Sequence, residues 1–251
     1  MYKGTYSNQP VAIKELFAQT IDKNDIEEFE KEATLLSSLH HPNIVQFYGV
    51  AMKGSNFYLV LEWCARGSLS QLLSGKRKHV VSEKLALRLA TSIAETMSFL
   101  HSKGIIHRDL KPDNILLSEN FDIKLCDFGL SKRIENRVTA NMTLAVGTPA
   151  YMAPELLGTG GDEKLDGMKL DVYAFAVLLN ALLCSRHPFA RLPAMSIISA
   201  VKMEGARPQL LPSANPELKA IIQMCWHRNP ALRPNFPEIT RALRAIQSDK
   251  Y

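Results

Sequence analysis

The sequence predicts an α+β protein in two lobes: a small strand-rich lobe over residues 1–62 and a larger helical lobe over 67–251, joined by a hinge at 62–66. Three observations support this. Runs of strand length, separated by turn residues, fill the stretch before residue 62. Apolar residues recur at helical spacing in most segments after residue 67. Two polar turns, at 107–114 and 127–129, then set carboxylate, amine and amide side chains in close order.

The elements follow in turn. Tyr2 to Tyr6 and Val11 to Leu16 flank Ser7-Asn8-Gln9-Pro10, a turn-rich tetrapeptide, which predicts a hairpin. From Asp25 to Leu39, the residues Ile26, Phe29, Ala33, Leu36 and Leu39 recur at helical spacing, and His41-Pro42-Asn43 ends that helix. Ile44 to Val50 and Phe57 to Glu62 read as two more strands, turned at Gly54-Ser55-Asn56. Beyond Arg66-Gly67 the pattern is mostly helical. Ser82 caps a long helix with Leu85, Leu89, Ile93, Met97 and Leu100 on one stripe, and Gly104 closes it. Further helices are predicted over Asp171–Cys184, Ala194–Met203, Pro216–Trp226 and Phe236–Gln247. There is no internal repeat and no low-complexity tract.

Composition narrows the function classes. The 251 residues are 46% hydrophobic and 22% charged, ordinary for a globular protein able to bury a sizeable core. A net charge of +5, evenly spread, argues against nucleic acid as a partner. The one dense basic cluster, Lys76-Arg77-Lys78-His79, reads as a solvated loop rather than an anion site. Cys64, Cys126, Cys184 and Cys225 lack metal-like spacing and read as reduced thiols, which implies a cytoplasmic protein. Cys126 has two readings, a reactive thiol and a small buried hydrophobe, of which the second is favoured. Met1-Tyr2-Lys3-Gly4 opens no apolar run and so no signal peptide. Val172 to Cys184 is too short for a membrane span and contains Asn180, so a buried core helix is expected and membrane insertion is not.

The chemistry is concentrated in His107-Arg108-Asp109-Leu110-Lys111-Pro112-Asp113-Asn114 and in Asp127-Phe128-Gly129. Phosphoryl transfer asks for positioned charge around a triphosphate and its metal ions rather than for covalent help. Asp109 can accept the proton of an attacking hydroxyl. Lys111 can neutralise charge on the phosphoryl group in flight. Asn114 and Asp127 offer the hard oxygen ligands that Mg²⁺ prefers, with Mn²⁺ as the alternative ion. Two such turns in this order make an ordinary polar loop an inadequate account of them.

The two stretches resemble the catalytic loop and metal-binding turn of the eukaryotic protein kinases, and the two-lobed pattern is similar to the kinase fold. Val11-Ala12-Ile13-Lys14 resembles the family's strand lysine, which makes Lys14 the ligand of the α- and β-phosphates of ATP. Its partner is expected to be Glu32 rather than Glu28, because Glu32 shares a helix face with Phe29 and Leu36. The resemblance further implies that adenine contacts the backbone at Glu62 and Cys64, between Ala12 and Leu116, with Leu61 at the back of the pocket. Thr148 to Glu155 resembles the end of the activation segment, with Glu155 pairing Arg233. Asp171 resembles the anchor of the catalytic-loop backbone; a simple helix N-cap is the competing reading, and both roles are compatible. Thr139 and Thr143 stand where a phosphate can be added, Thr143 being preferred, and Arg108 is placed to pair with it.

Lys111 and Thr148 resemble serine/threonine kinases, while Cys225-Trp226 and Arg233-Pro234-Asn235-Phe236 resemble tyrosine kinases and their nearest serine/threonine relatives. Together they point to the tyrosine-kinase-like group, with serine or threonine in protein substrates as acceptor and dual specificity as the fallback. Smaller departures from the family are Ala176, where glycine is frequent, and Asn180-Ala181, where a tryptophan-acid pair is frequent. A larger one lies at the start. Met1 occupies the slot of a valine that follows the family's glycine-rich loop, so the expected small lobe lacks its first strand and that loop. Losing two charge-assisted hydrogen bonds to phosphate costs about 3–6 kcal/mol, or roughly 10²–10⁴ in affinity or rate. Three readings follow: a piece of a larger kinase, a lobe completed by another segment or partner, or a non-catalytic scaffold on the kinase fold. The complete set Lys14, Glu32, Asp109, Asn114 and Asp127 argues against the scaffold.

Overall fold

The computed structural model describes residues 1–15, 23–54, 56–74, 80–129, 131–133, 148–157, 165–190 and 192–250. Thr139, Thr143 and the basic cluster at 76–79 lie outside the described residues. The chain forms two compact units, Met1–Gly67 with Leu116–Gly129, and Ser68–Ile115 with Leu130–Tyr251.

The first unit is built on strands β1 (Tyr2–Tyr6), β2 (Gln9–Glu15), β3 (Phe47–Lys53) and β4 (Asn56–Glu62). They form an antiparallel sheet in the order β1-β2-β4-β3. Ser7 and Asn8 both take positive φ (47° and 61°), the backbone of the two-residue turn whose twist suits a hairpin. The turn is therefore tighter than the expected tetrapeptide, and Gln9 and Pro10 join β2. Pro10 is tolerated because it faces Thr5 on one side, while the pairing with β4 begins only at Val11 opposite Glu62.

Helix α1 (Lys23–Ser38) buries Phe29 and Leu36, and Phe29 stacks obliquely on Phe57 of β4 at 5.5 Å between ring centroids. The strand expected over 44–50 begins instead at Phe47. Ile44 and Val45 are buried, but their backbone serves a distant segment. Val45 N–H donates to Leu125 at 2.9 Å, and Leu125 N–H donates to Asn43 at 2.8 Å. Burial and an isolated parallel bridge from Ile44 to Leu125, not pairing with β4, account for the apolar residues there, and these bonds draw Leu116–Gly129 into the unit.

The second unit is helical: α2 (Leu69–Ser74), α3 (Glu83–Ser102), α4 (Gly167–Cys184), α5 (Ala194–Met203), α6 (Pro216–Cys225) and α7 (Phe236–Lys250). With α1 this makes seven helices among the described residues, and the expected α+β class is borne out. Ser82 caps α3 by accepting from Leu85 N–H at 3.2 Å. Of its expected stripe, Leu89, Ile93, Met97 and Leu100 are buried and Leu85 half-buried. Ala86, Leu87, Ala90 and Ala94 are buried too, because α3 packs against both α7 and α4.

Helix α4 starts at Gly167, four residues before the expected Asp171. Its cap is Asp166, whose carboxylate accepts from Met168 N–H at 3.0 Å and Lys169 N–H at 3.4 Å. Glycine lets α4 approach closely here: a Cβ at 167 would lie 2.6 Å from Cδ1 and 3.0 Å from Cγ2 of Ile106, whose side chain would have to shift. Ile106 belongs to a short ribbon, Ile105–Ile106 paired with Lys132–Arg133. At 18 residues α4 is the one helix among those described that is long and apolar enough to cross a membrane, yet nearly all of it is buried inside this unit. It is the central core helix.

Candidate active site

The residues expected to hold a nucleotide all fall in the first unit. Ala12 and Lys14 alternate along β2 on one face, and Ala12 pairs across the sheet with Leu61. Lys14 Nζ donates to both oxygens of Glu32, at 2.7 and 2.9 Å, and lies 3.5 Å from Asp127 Oδ1. Glu32 reaches it because α1 turns the Phe29–Leu36 face inward. Burial pulls the Lys14 ammonium down, but the Glu32 and Asp127 carboxylates outweigh it, and its pKa is raised. The cation is therefore secure at physiological pH.

Asp127 is held with φ +61°, the left-handed backbone that side chains rarely take, and its carboxylate is about half exposed. Phe128 beside it is buried and fixes the turn. Glu62, at the end of β4, receives Lys124 Nζ at 2.8 Å and Gln46 N–H at 3.1 Å. Leu61 and Cys64 are buried and Leu116 half-buried. Burial, then the Glu62 charge, pushes the Cys64 thiol up to about 12. Burial, then Asp127, does the same to Cys126, also up to about 12. At neutral pH such thiols are ionised to only about one part in 10⁵, so both behave as inert apolar groups.

The catalytic-loop residues fall in the second unit. A 3₁₀ turn at Pro112–Asn114 folds Asn114 back onto Asp109. The Asn114 amide nitrogen donates to the Asp109 carbonyl and to Asp109 Oδ2, each at 2.8 Å. Lys111 Nζ lies 2.7 Å from the same Oδ2. Two donors thus hold one carboxylate oxygen, and Oδ1 has no hydrogen-bond partner among the described residues.

The loop itself hangs from α4. Asp171, 1% exposed, accepts from His107 N–H at 2.9 Å and Arg108 N–H at 2.8 Å, and its Oδ2 lies 2.9 Å from His101 Nε2. These bonds hold Arg108 at φ +69°. The cap reading of Asp171 is corrected: Asp166 caps α4, and Asp171 sits a turn inside it. Arg233 grips Glu155 through both guanidinium nitrogens at 2.6 and 2.9 Å, and also donates to the carbonyls of Lys169 and His227.

The family described as "Protein kinase domain" matches residues 1–243. The chain belongs to the protein kinase domain family. It is 39% identical over 98% of its length to a probable serine/threonine-protein kinase of Dictyostelium discoideum, of which it spans 26%. To the serine/threonine-protein kinase STY17 of Arabidopsis thaliana it is 34% identical over 98% of its length, spanning 42% of that protein. The serine/threonine/tyrosine-protein kinase HT1 of Arabidopsis thaliana is 35% identical over 97% of this chain, which spans 62% of it. The resemblance drawn from the two motifs is borne out.

In this kinase domain the structure also uses residues the motifs did not flag. His101 clamps Asp171, and Tyr173 stacks under the Arg233 guanidinium at 5.2 Å. The Lys169 ammonium donates to the Arg233 carbonyl. Tyr173 lies one turn from Lys169 along α4, a faint signal that this face is shared. His101, at the end of α3, gave none.

Proposed function

We propose that this kinase domain transfers the γ-phosphate of ATP to serine or threonine hydroxyls of protein substrates in signalling. The observation that carries the reading is the seating of Asp109, with Oδ2 fixed by Lys111 and Asn114 and Oδ1 left over for a substrate proton. As the hydroxyl oxygen bonds to the γ-phosphorus, its proton passes to Asp109 and the bond to the ADP oxygen breaks. Lys111 offsets the phosphoryl charge. Lys14, oriented by Glu32, binds the α- and β-phosphates. Ala12, Leu61 and Leu116 supply the apolar walls for adenine, with Glu62 and Cys64 offering backbone groups.

The half-exposed Asp127 carboxylate and the Asn114 amide oxygen are each hard oxygen donors, and by that chemistry they are the residues that would hold Mg²⁺, with Mn²⁺ as the alternative. Such an ion would offset the negative charge of the nucleotide's phosphates. Lys111 and the relatives' names favour serine and threonine, and the tyrosine-kinase-like group as the setting. The relative named serine/threonine/tyrosine-protein kinase keeps dual specificity as the second reading. Phosphorylation of Thr143 or Thr139, paired by Arg108, is the regulatory element of the reading, and the four free thiols suit a cytoplasmic site.

The test compares phosphate transfer to a generic basic protein by the parent and by Asp109→Asn. A fall of about 10²–10⁴ with an unchanged circular dichroism spectrum is expected. Equal transfer by both, with both folded, removes the enzyme reading. Acid hydrolysis of the labelled product then separates phosphoserine and phosphothreonine from phosphotyrosine.

A further inference from the structure

Tyr173 of α4 is fully buried and carries two guanidinium groups against its ring, Arg233 at 5.2 Å and Arg207 at 5.1 Å from the centroid. Arg233 belongs to the Glu155 anchor already described, whereas Arg207 comes from the extended segment after α5. Burial pushes the Tyr173 phenol up to about 12, so the ring stays neutral at physiological pH and its face can hold both cations. Its hydroxyl has no hydrogen-bond partner among the described residues, which leaves the ring as the working part. The two arginines also take consecutive carbonyls. Arg207 Nε donates to Trp226 at 3.0 Å, and Arg233 Nε donates to His227 at 2.9 Å. Trp226 is the C-cap of α6, where a cation offsets unpaired carbonyls and the negative end of the helix dipole. Burial lowers the Arg207 pKa and the Glu155 charge works against that, so Glu155 acts on both arginines.

Arg207 fixes the exit of α5 as well. Gly205, at φ +67°, lets Ala206 N–H reach back to the Ala200 carbonyl at 2.9 Å, a closure that calls for a left-handed residue. Arg207 Nη1 donates to the Gly205 and Ala206 carbonyls at 3.3 and 3.0 Å. Helix α5, with Ile197 and Val201 buried, packs on the turn at Pro149–Tyr151. That turn lies against the catalytic loop: Thr148, Tyr151 and Met152 line a cavity of about 20 Å³ together with Arg108 and Asp109. Segment 148–157 is thus gripped twice, at 149–151 by α5 and at Glu155 by Arg233. Arg207 and the Tyr173 ring join the two grips.

We propose that Arg207, acting through the Tyr173 ring and the end of α5, is a positioning residue for the protein substrate, keeping segment 148–157 in place beside Asp109. This role rests on the kinase reading above. A hydroxyl that gives its proton to Asp109 brings its peptide alongside Thr148–Met152, so the placement of that segment governs how well the peptide docks. Lys14, Glu32 and Asp127 belong to the other unit, and ATP binding is therefore expected to be indifferent to Arg207.

The experiment measures steady-state phosphate transfer to a generic basic protein by the parent, Arg207→Met, Arg207→Lys, Tyr173→Leu and Tyr173→Phe. Ser82→Ala, which removes the α3 cap, serves as a variant destabilised elsewhere. Arg207→Lys keeps the charge and the apolar stem, so it reports even where Arg207→Met does not fold. Arg207→Met, Arg207→Lys and Tyr173→Leu are expected to raise the KM for the basic protein about 3–10-fold, with the KM for ATP within about twofold of the parent. Tyr173→Phe keeps the ring, loses only the unpartnered hydroxyl, and is expected to match the parent. A basic-protein KM unchanged in the Arg207 variants and Tyr173→Leu, or raised as much by Ser82→Ala, overturns the role. A rise in both KM values together assigns Arg207 to general stability and overturns it too. No transfer by the parent above the Asp109→Asn background removes the kinase reading and this role with it, whereas normal parent kinetics with unaffected variants reject this role alone.

Discussion

Arg233→Lys tests whether the Glu155 contact holds the second unit together or merely decorates it. Arg233 is 1% exposed and makes four hydrogen bonds, two to Glu155 and one each to the carbonyls of Lys169 and His227. A lysine keeps the charge but lacks the planar fork, so it serves one Glu155 oxygen and leaves both carbonyls without that donor. Three charge-assisted bonds at about 1.5 kcal/mol each, the low end of their range, give a loss of about 4–5 kcal/mol. For a chain of this size that lowers Tm by about 8–20 °C. Urea unfolding followed by circular dichroism measures it, with Glu155→Gln and the double variant completing a cycle. A loss below 1 kcal/mol would refute the reasoning, because that is the range of an exposed ion pair.

Other substitutions separate chemistry from scaffold. Lys14→Met is expected to lower kcat about 10²–10³-fold while costing less than about 1 kcal/mol of stability, since the pair with Glu32 is partly exposed; turnover assays and melting curves together check this. Asp166→Ala removes the cap of α4 and is expected to cost about 0.5–2 kcal/mol in urea unfolding. Burial pushes the Cys225 thiol up to about 12. The folded chain keeps that proton while the unfolded chain loses it near pH 8.5, so this thiol's contribution to stability falls by about 1.4 kcal/mol per pH unit above about pH 9. Cys225→Ala removes that share of the slope, and identical slopes for parent and variant between pH 8 and 11 would contradict it.

What was legible in the sequence is what local chemistry decides. Asp109, Lys111 and Asn114 lie within six positions and fold onto one another through a single 3₁₀ turn, so their order along the chain already expresses their geometry. The hairpin at Ser7-Asn8 and the Ser82 cap were readable for the same reason. Glu32 was preferred over Glu28 because helix periodicity decides which face an acid shares, and that face meets Lys14. The start of α4 was misplaced because Asp171 heads the most apolar run, while the cap at Asp166 precedes a more polar turn. The strand at 44–50 was misplaced because Ile44 and Val45 are buried by Leu125, about eighty positions away. His101 and Lys169 went unseen because their partners, Asp171 and Arg233, are equally remote and neither residue type is rare.

The acids of the site differ in a way no motif records. Asp171 is buried and carries three hydrogen-bond contacts, and Glu155 is gripped through both oxygens by a buried guanidinium. Both are spent on holding backbone and helices in place. Asp109 has one oxygen fixed and the other left over among the described residues, and Asp127 is about half exposed with a 3.5 Å contact to Lys14. Charge that must meet a substrate has to stay reachable and incompletely satisfied, whereas charge that holds a scaffold has to be satisfied in full, because a buried carboxylate without partners is too costly. Incomplete satisfaction is therefore the physical mark of the catalytic loop, and it is the reason to expect a ligand there.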